Sequence, residues 1–195
     1  MSTASVFVPR TLAERWFPAR TAWRDLLLVM GGAALTALFA QLSLRLPFTP
    51  VPLTGQTFAV LVTGAVLGTR RGVSAQIVYI LAGLVGLPVF AGASGGLHQL
   101  VGPSGGYLLG FIAASGVLGY LAERGWDRGR RVVLAMIGGE LVLYGFGVGW
   151  LTLYTGSFAH ALLLGFVPFI IGDAVKLAAA AGVLPMAWRL TGTRR

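Results

Sequence analysis

Apolar residues in this chain fall in long unbroken runs, not in the short alternating stretches that make half-buried strands. Six runs stand out, over residues 25–44, 56–67, 73–90, 106–122, 132–154 and 161–189. As helices rising 1.5 Å per residue, five of them suit a hydrocarbon layer about 30 Å thick. The second is too short, because the run from Gln56 spans only about 20 Å. It follows "RLPFTPVPLTGQTF", where Pro47, Pro50 and Pro52 fall within six positions. Such backbone cannot face lipid with unpaired amides, so it predicts a segment that caps or lines a protein cavity. "FAGASGGLHQLVGPSGGY", after the third run, poses the same constraint with glycine, which permits tight turns and close approach of backbone to a ligand. Two turn-rich loops on one side predict a lid; the alternative is plain connection.

Composition turns apolar helices into a membrane protein. Of 195 residues, 56 % are hydrophobic and 11 % charged, against about 25 % charged in soluble domains; the mean hydropathy is +0.81. The expected fold is an all-α integral membrane protein of six transmembrane helices whose outer loops cap a ligand pocket. Residues 25–190 form the six-helix domain, between a cytoplasmic tail over 1–24 and a short one over 191–195. In the first tail, "TLAERWFPARTAW" mixes arginine with aromatics and reads as a membrane-surface helix or as a loose lead-in. No cleavable signal peptide is expected there.

The net charge of +9 raises nucleic acid as a partner, and its distribution removes it. Arg10, Arg15, Arg20, Arg24, Arg70, Arg71, Arg124, Arg128, Arg130, Arg131, Arg189, Arg194 and Arg195 all flank apolar runs on one side, thirteen of fifteen basic residues. Only Arg45 falls on the other side, and Lys176 lies within a run. This asymmetry predicts both termini in the cytoplasm and an even number of crossings.

Lys176 is the only lysine, and it stands three residues after Asp173 in "PFIIGDAVKLAAAAG". At i and i+3 the two share a helix face. With Pro168 in the first turn of the last helix, Asp173 lies about 8 Å and Lys176 about 12 Å below the outer boundary. Charges at that depth face a protein interior or a cavity. They form either a self-neutralised pair locking two helices or the floor of a pocket, where lysine takes a carboxylate and aspartate accepts from N–H donors. In "MIGGELVLYGFGVGW", Tyr144 lies level with Lys176 and offers a hydroxyl to such a pocket. Glu140 sits deeper, as a ligand contact or a hydrogen-bonding partner for a neighbouring helix. Ala33 and Ala37 make a small-xxx-small stripe that serves internal packing or docks a partner membrane subunit.

Other chemistries lack their residues. Without cysteine there is no disulfide, thiol chemistry or thiolate metal site. His98 and His160 have no metal-ligand spacing. No glycine-lysine-serine/threonine phosphate loop occurs, and no nucleophile–base arrangement suggests an enzyme. No cofactor or metal is expected.

"VPLTGQTFAVLVTGAVLGTRRG", "GLPVFAGASGGLHQLVGPSGGYLLGF" and "GDAVKLAAAA" together resemble the BioY family, the biotin-specific substrate-binding (S) components of energy-coupling-factor (ECF) vitamin transporters. The resemblance runs from about Pro47 to Ala181, in order and spacing. It implies a six-helix protein of a prokaryotic cytoplasmic membrane that captures biotin from outside. A transmembrane T subunit and two ATP-binding subunits would power release. Asp173 and Lys176 match the family's Asp-x-x-Lys and are implied ligand residues. Thr54, Gln56, Gly95, Gly96 and Tyr107 fall in matched segments, with the loops closing over the vitamin, and Ala33 and Ala37 match an AxxxA docking pattern. Ala93 stands where the pattern leads one to expect glycine. The rival readings are an S component for another vitamin and a self-sufficient oligomeric transporter or channel.

Overall fold

In a computed structural model, which describes residues 10–19 and 21–192, the chain folds as nine helices and one two-stranded hairpin among those residues. Arg20, Arg194 and Arg195 lie outside the described residues, as do residues 1–9. The helices are α1 Leu12–Trp16, α2 Ala22–Gln41, α3 Gln56–Leu67, α4 Thr69–Leu84, α5 His98–Val101, α6 Gly105–Glu123, α7 Arg131–Thr155, α8 Phe158–Gly165 and α9 Ile170–Leu190. By length and composition α2, α6, α7 and α9 can each cross a membrane, and α3 is a shorter apolar helix.

Between α2 and α3 the proline-rich stretch forms a hairpin, β1 Ser43–Leu44 with β2 Leu53–Thr54, antiparallel with Ser43 opposite Thr54. The first apolar run therefore leaves the helix at Gln41, short of Leu44. Prolines lack the N–H a ladder needs, so pairing is confined to the four residues outside the proline cluster.

Gly68, at φ 83°, reverses the chain between α3 and α4. No side chain of α4 itself caps that helix, and Glu123 at the end of α6 takes the Thr69 N–H at 2.8 Å. Because α4 starts at Thr69, Arg70 and Arg71 belong to its first turn and not to a loop. Arg71 and Arg24 both grip Asp25, at 2.9 and 2.6 Å, tying α2 to α4 at the arginine-rich end.

The sixth run is not one helix. After α8 the chain turns through residues 166–169 and α9 starts at Ile170. Pro168 lacks an N–H and pushes Val167 out of helical conformation, so it separates two helices and does not open α9. Asp173 is consequently in the first turn of α9, about 4.5 Å along its axis, with Lys176 about 9 Å along. Both stand nearer the start of their helix than the sequence geometry predicts.

The core has two halves. One, at the pocket end, gathers Tyr79, Phe90, Tyr107, Phe111 and Leu151. The other, towards the arginine-rich end, gathers Leu61, Leu118, Met136, Leu184 and Trp188 with Leu12 of α1. Leu12 and Ala13 are 0 % and 1 % exposed, so α1 plugs the bundle with one face while Trp16 and Phe17 point outward. Helices α6 and α7 approach closely because Gly147 leaves room for the Tyr107 ring. That ring then places its hydroxyl 2.5 Å from the Gly165 carbonyl, to which it donates.

Candidate functional site

At the pocket end the hairpin, the α4–α6 connection and the outer turns of α3, α6, α7 and α9 surround a cavity of about 610 Å³, counting the open space at its mouth. Small-molecule sites have a mostly apolar wall with a few placed polar groups. Here Val51, Phe90, Leu108, Phe111, Leu143 and Phe169 supply apolar wall, and Thr54, Gln56, Thr57, Gln99, Tyr144, Asp173 and Lys176 supply polar atoms.

The polar atoms are organised around Lys176. Its ammonium donates to Asp173 Oδ1 at 2.5 Å, to Thr57 Oγ1 at 2.9 Å and to the Thr54 carbonyl at 2.7 Å. An ammonium has three donors, so all three are engaged. Thr57 relays one of them, donating its own hydroxyl to Asp173 Oδ1 at 3.2 Å. Tyr144 donates to Asp173 Oδ2. The aspartate thus already carries three donors, one from each of three elements, and little of its accepting capacity is left for a ligand's N–H groups. In this arrangement the aspartate is the fixed counter-ion that aims the Lys176 ammonium.

Six of the nine sequence-predicted ligand residues come together on this wall: Asp173, Lys176, Tyr144, Gln56, Thr54 and Tyr107. Glu140, Gly95 and Gly96 do not. Glu140 is 6 % exposed, one turn of α7 below Leu143 and Tyr144, and neither of its oxygens has a hydrogen-bond partner among the described residues. The helix-to-helix hydrogen bond expected of it is absent. Gly95 packs on the backbone of Gly86 and Leu87, and Gly96, at φ 100°, donates its N–H to the Gly83 carbonyl at 2.7 Å. Both shape the α4–α5 loop and leave the wall to Phe90 and Ala91.

The loop is pinned from α2. Gln41 Nε2 donates to the Val89 and Phe90 carbonyls, and its Oε1 accepts from the Ala93 N–H at 3.0 Å. Ala93 has φ 53° and is the one described non-glycine residue with positive φ, at the position where the family pattern leads one to expect glycine.

Thr57 is the residue that sequence reasoning missed. Its signal was spacing, since it lies three residues past Thr54 and faces the α9 pair from the short α3. Ala33 and Ala37 fall on the inward face of α2. Ala33 is 6 % exposed and Ala37 packs on the same core, next to Gly32, which abuts Thr63, Leu67 and Ala75 of α3 and α4. Small residues there let α2 approach its own chain. The outward stripe of α2 carries Leu27, Gly31, Ala34 and Leu38. Among the described residues no group of three or more His, Asp or Glu could hold a metal ion.

Comparison with known proteins bears on this site. Residues 11–193 match the BioY family. The chain is 39 % identical over 163 residues to the biotin transporter BioY of Rhizobium etli, covering 75 % of this chain and 87 % of that one. It is 40 % identical over 157 residues to the probable biotin transporter BioY of Pyrococcus horikoshii, covering 80 % and 91 %. Among solved structures, the S-component for biotin from an ECF-type ABC transporter superposes with a TM-score of 0.76, covering 88 % of this chain and 95 % of that one at 22 % identity. At that identity the superposition speaks for the fold.

Proposed function

The chain belongs to the BioY family, and from that premise we propose that it captures biotin in the cavity beside Lys176 as the S component of an ECF transporter. It is a multi-pass membrane protein and not an enzyme. The observation that carries the reading is a single ammonium held by three protein acceptors at the wall of a cavity with both apolar and polar lining. Biotin offers the complement: a carboxylate, an apolar alkyl chain and sulfur-containing ring, and a ureido group with two N–H donors and a carbonyl.

A ligand carboxylate reaches Lys176 by replacing one of its present acceptors. Two of them are neutral, and of these Thr57 is also tied to Asp173, so the Thr54 carbonyl, in the hairpin, is the one that leaves. Asp173 stays paired and Thr57 stays bonded. The hairpin over residues 43–54 and the loop over 85–97 then adjust over the vitamin.

The same reading includes six crossings, with α3 and α4 as the two short ones, and both termini in the cytoplasm. The arginines at one end of the bundle support that orientation. The membrane is the cytoplasmic membrane of a prokaryote. A T subunit and two ATP-binding subunits supply the energy, in keeping with the missing phosphate loop. Because Ala33 and Ala37 point inward, the T subunit meets the outward stripe of α2 instead.

Equilibrium binding of labelled biotin to the purified protein in detergent tests the reading. Saturable binding, competed by unlabelled biotin and not by other vitamins, is expected. No saturable binding, or equal competition by an unrelated vitamin, overturns it.

A further inference from the structure

Gln56 opens α3 at the cavity wall and is 5 % exposed. Its side-chain amide has one end that hydrogen-bonds the protein. Nε2 donates to the Tyr79 hydroxyl at 2.6 Å, and that hydroxyl donates to the Val89 carbonyl at 3.2 Å. Tyr79 lies behind the wall, 1 % exposed, on α4.

The order of donors and acceptors fixes which way the amide turns. A tyrosine hydroxyl has one hydrogen. Given to Val89, it leaves a lone pair that only an N–H can fill, so Gln56 presents Nε2 to Tyr79 and turns Oε1 the other way. With the amide reversed, the hydrogen would go to Gln56, and Val89 would keep only the 3.4 Å contact from Gln41. No donor among the described residues reaches Gln56 Oε1. The Tyr79 ring also stands edge-on to Phe90, centroids 5.4 Å apart at 84°, and Phe90 is cavity wall. One side chain thus orients the amide and backs the loop that closes beside it.

We infer that Tyr79 is a positioning residue of the binding site, which locks Gln56 so that Oε1 faces the cavity and accepts an N–H from the ureido group of the ligand. This rests on the biotin reading above. Asp173 is already engaged by three donors, so the fixed amide oxygen is the acceptor that remains. An acceptor oriented in advance favours ligands that carry the N–H and rejects those that lack it, because it would otherwise stay unpaired in a closed site.

The test compares biotin with its two singly N-methylated ureido isomers, on the wild type and on Tyr79→Phe, by equilibrium binding in detergent. Phenylalanine keeps the ring against Phe90 and removes the relay. The wild type is expected to prefer biotin strongly over at least one isomer. In Tyr79→Phe, biotin should weaken by about tenfold, with that isomer nearly unchanged, so that the preference shrinks by the same factor. Adding Gln56→Glu to Tyr79→Phe should restore the preference, because a carboxylate presents an oxygen in either orientation. Gln56→Leu in the wild-type background should lose the preference, and it keeps the question open to measurement if Tyr79→Phe does not fold. Equal weakening of all three ligands in Tyr79→Phe, or an unchanged preference in it or in Gln56→Leu, overturns the inference. A wild type that binds none of the three overturns the biotin reading itself.

Discussion

Lys176 Nζ lies 2.5 Å from Asp173 Oδ1, and the two side chains are 18 % and 8 % exposed. Breaking a buried pair by removing one partner leaves an uncompensated charge and costs about 3–5 kcal/mol, whereas replacing both partners costs far less. Lys176→Met is therefore expected to lower stability by about 3 kcal/mol and to abolish biotin binding. The double variant Asp173→Asn/Lys176→Met should recover most of the stability and none of the binding. Thermal unfolding in detergent, with biotin binding on the same samples, separates the two effects. A double variant as unstable as the single one would show that Thr57 and Tyr144, not the charge pair, hold this end of α9.

The opposite end of α9 is held by another buried acid. Asp127, 0 % exposed in the α6–α7 connection, accepts from Trp188 Nε1 at 2.6 Å and from Arg128 Nε at 3.3 Å. The Arg128 guanidinium stacks 3.6 Å from the Trp188 ring centroid. Burial pushes the Asp127 carboxyl above its ordinary 3.8, and the bonds from Trp188 and Arg128 offset only part of that. The folded protein then holds this proton more tightly than the unfolded chain. The stability it contributes is complete below 3.8 and is lost as pH rises through the folded value, by at most about 1.4 kcal/mol per pH unit. Asp127→Asn should remove that slope while keeping an acceptor for Trp188. The difference between the two melting-temperature profiles, from about pH 4 to pH 7, reads it directly; parallel profiles would refute it.

The parts legible in the sequence were those where a residue type conflicts with its solvent. Asp173 and Lys176 stand out in an apolar run, the three prolines before Gln56 exclude lipid-facing backbone, and the shortness of α3 follows from counting. Each ended at the cavity. What was hidden depends on which way an apolar helix faces. In a membrane both the lipid side and the protein side of α2 are apolar, so the Ala33–Ala37 stripe could not reveal that it points inward. Glu140 illustrates the same limit, since depth along α7 was readable but its direction past the cavity wall was not. The break at Pro168 was missed because apolar residues continue unbroken on both sides of it. Tyr79 gave no signal of its own, and Thr57 only its spacing from Thr54; the packed neighbours reveal what their hydroxyls do.

Ala93 bears a local strain that a single substitution relieves. Its φ of 53° is a left-handed conformation costing an ordinary residue about 1–2 kcal/mol. Glycine removes that cost and gives back part of it as extra freedom in the unfolded chain. Ala93→Gly should stabilise by about 0.5–1 kcal/mol, or about 2 °C in melting temperature for a chain of this size. Ala93→Val should destabilise, because a β-branched side chain tolerates this conformation least. A glycine variant that melts below the wild type would mean that the loop is held by Gln41 firmly enough for the strain to be irrelevant.

Orientation in the membrane is testable with unusual economy because the chain has no cysteine. Leu97, 62 % exposed beside the cavity mouth, and Arg130, exposed before α7, sit at opposite ends of the bundle. If the arginine-rich end is cytoplasmic, Leu97→Cys in intact cells reacts with a membrane-impermeant maleimide, and Arg130→Cys reacts only after permeabilisation. The positive-inside bias has this outcome because loops rich in arginine are retained on the cytoplasmic side during insertion. The reverse pattern would place the cavity mouth in the cytoplasm, and capture of biotin from outside would then be impossible for this chain as oriented. Labelling of both positions from outside would show an even number of crossings between them. Since α6 alone separates Leu97 from Arg130 among the helices long enough to span, that result would remove α6 as a crossing helix.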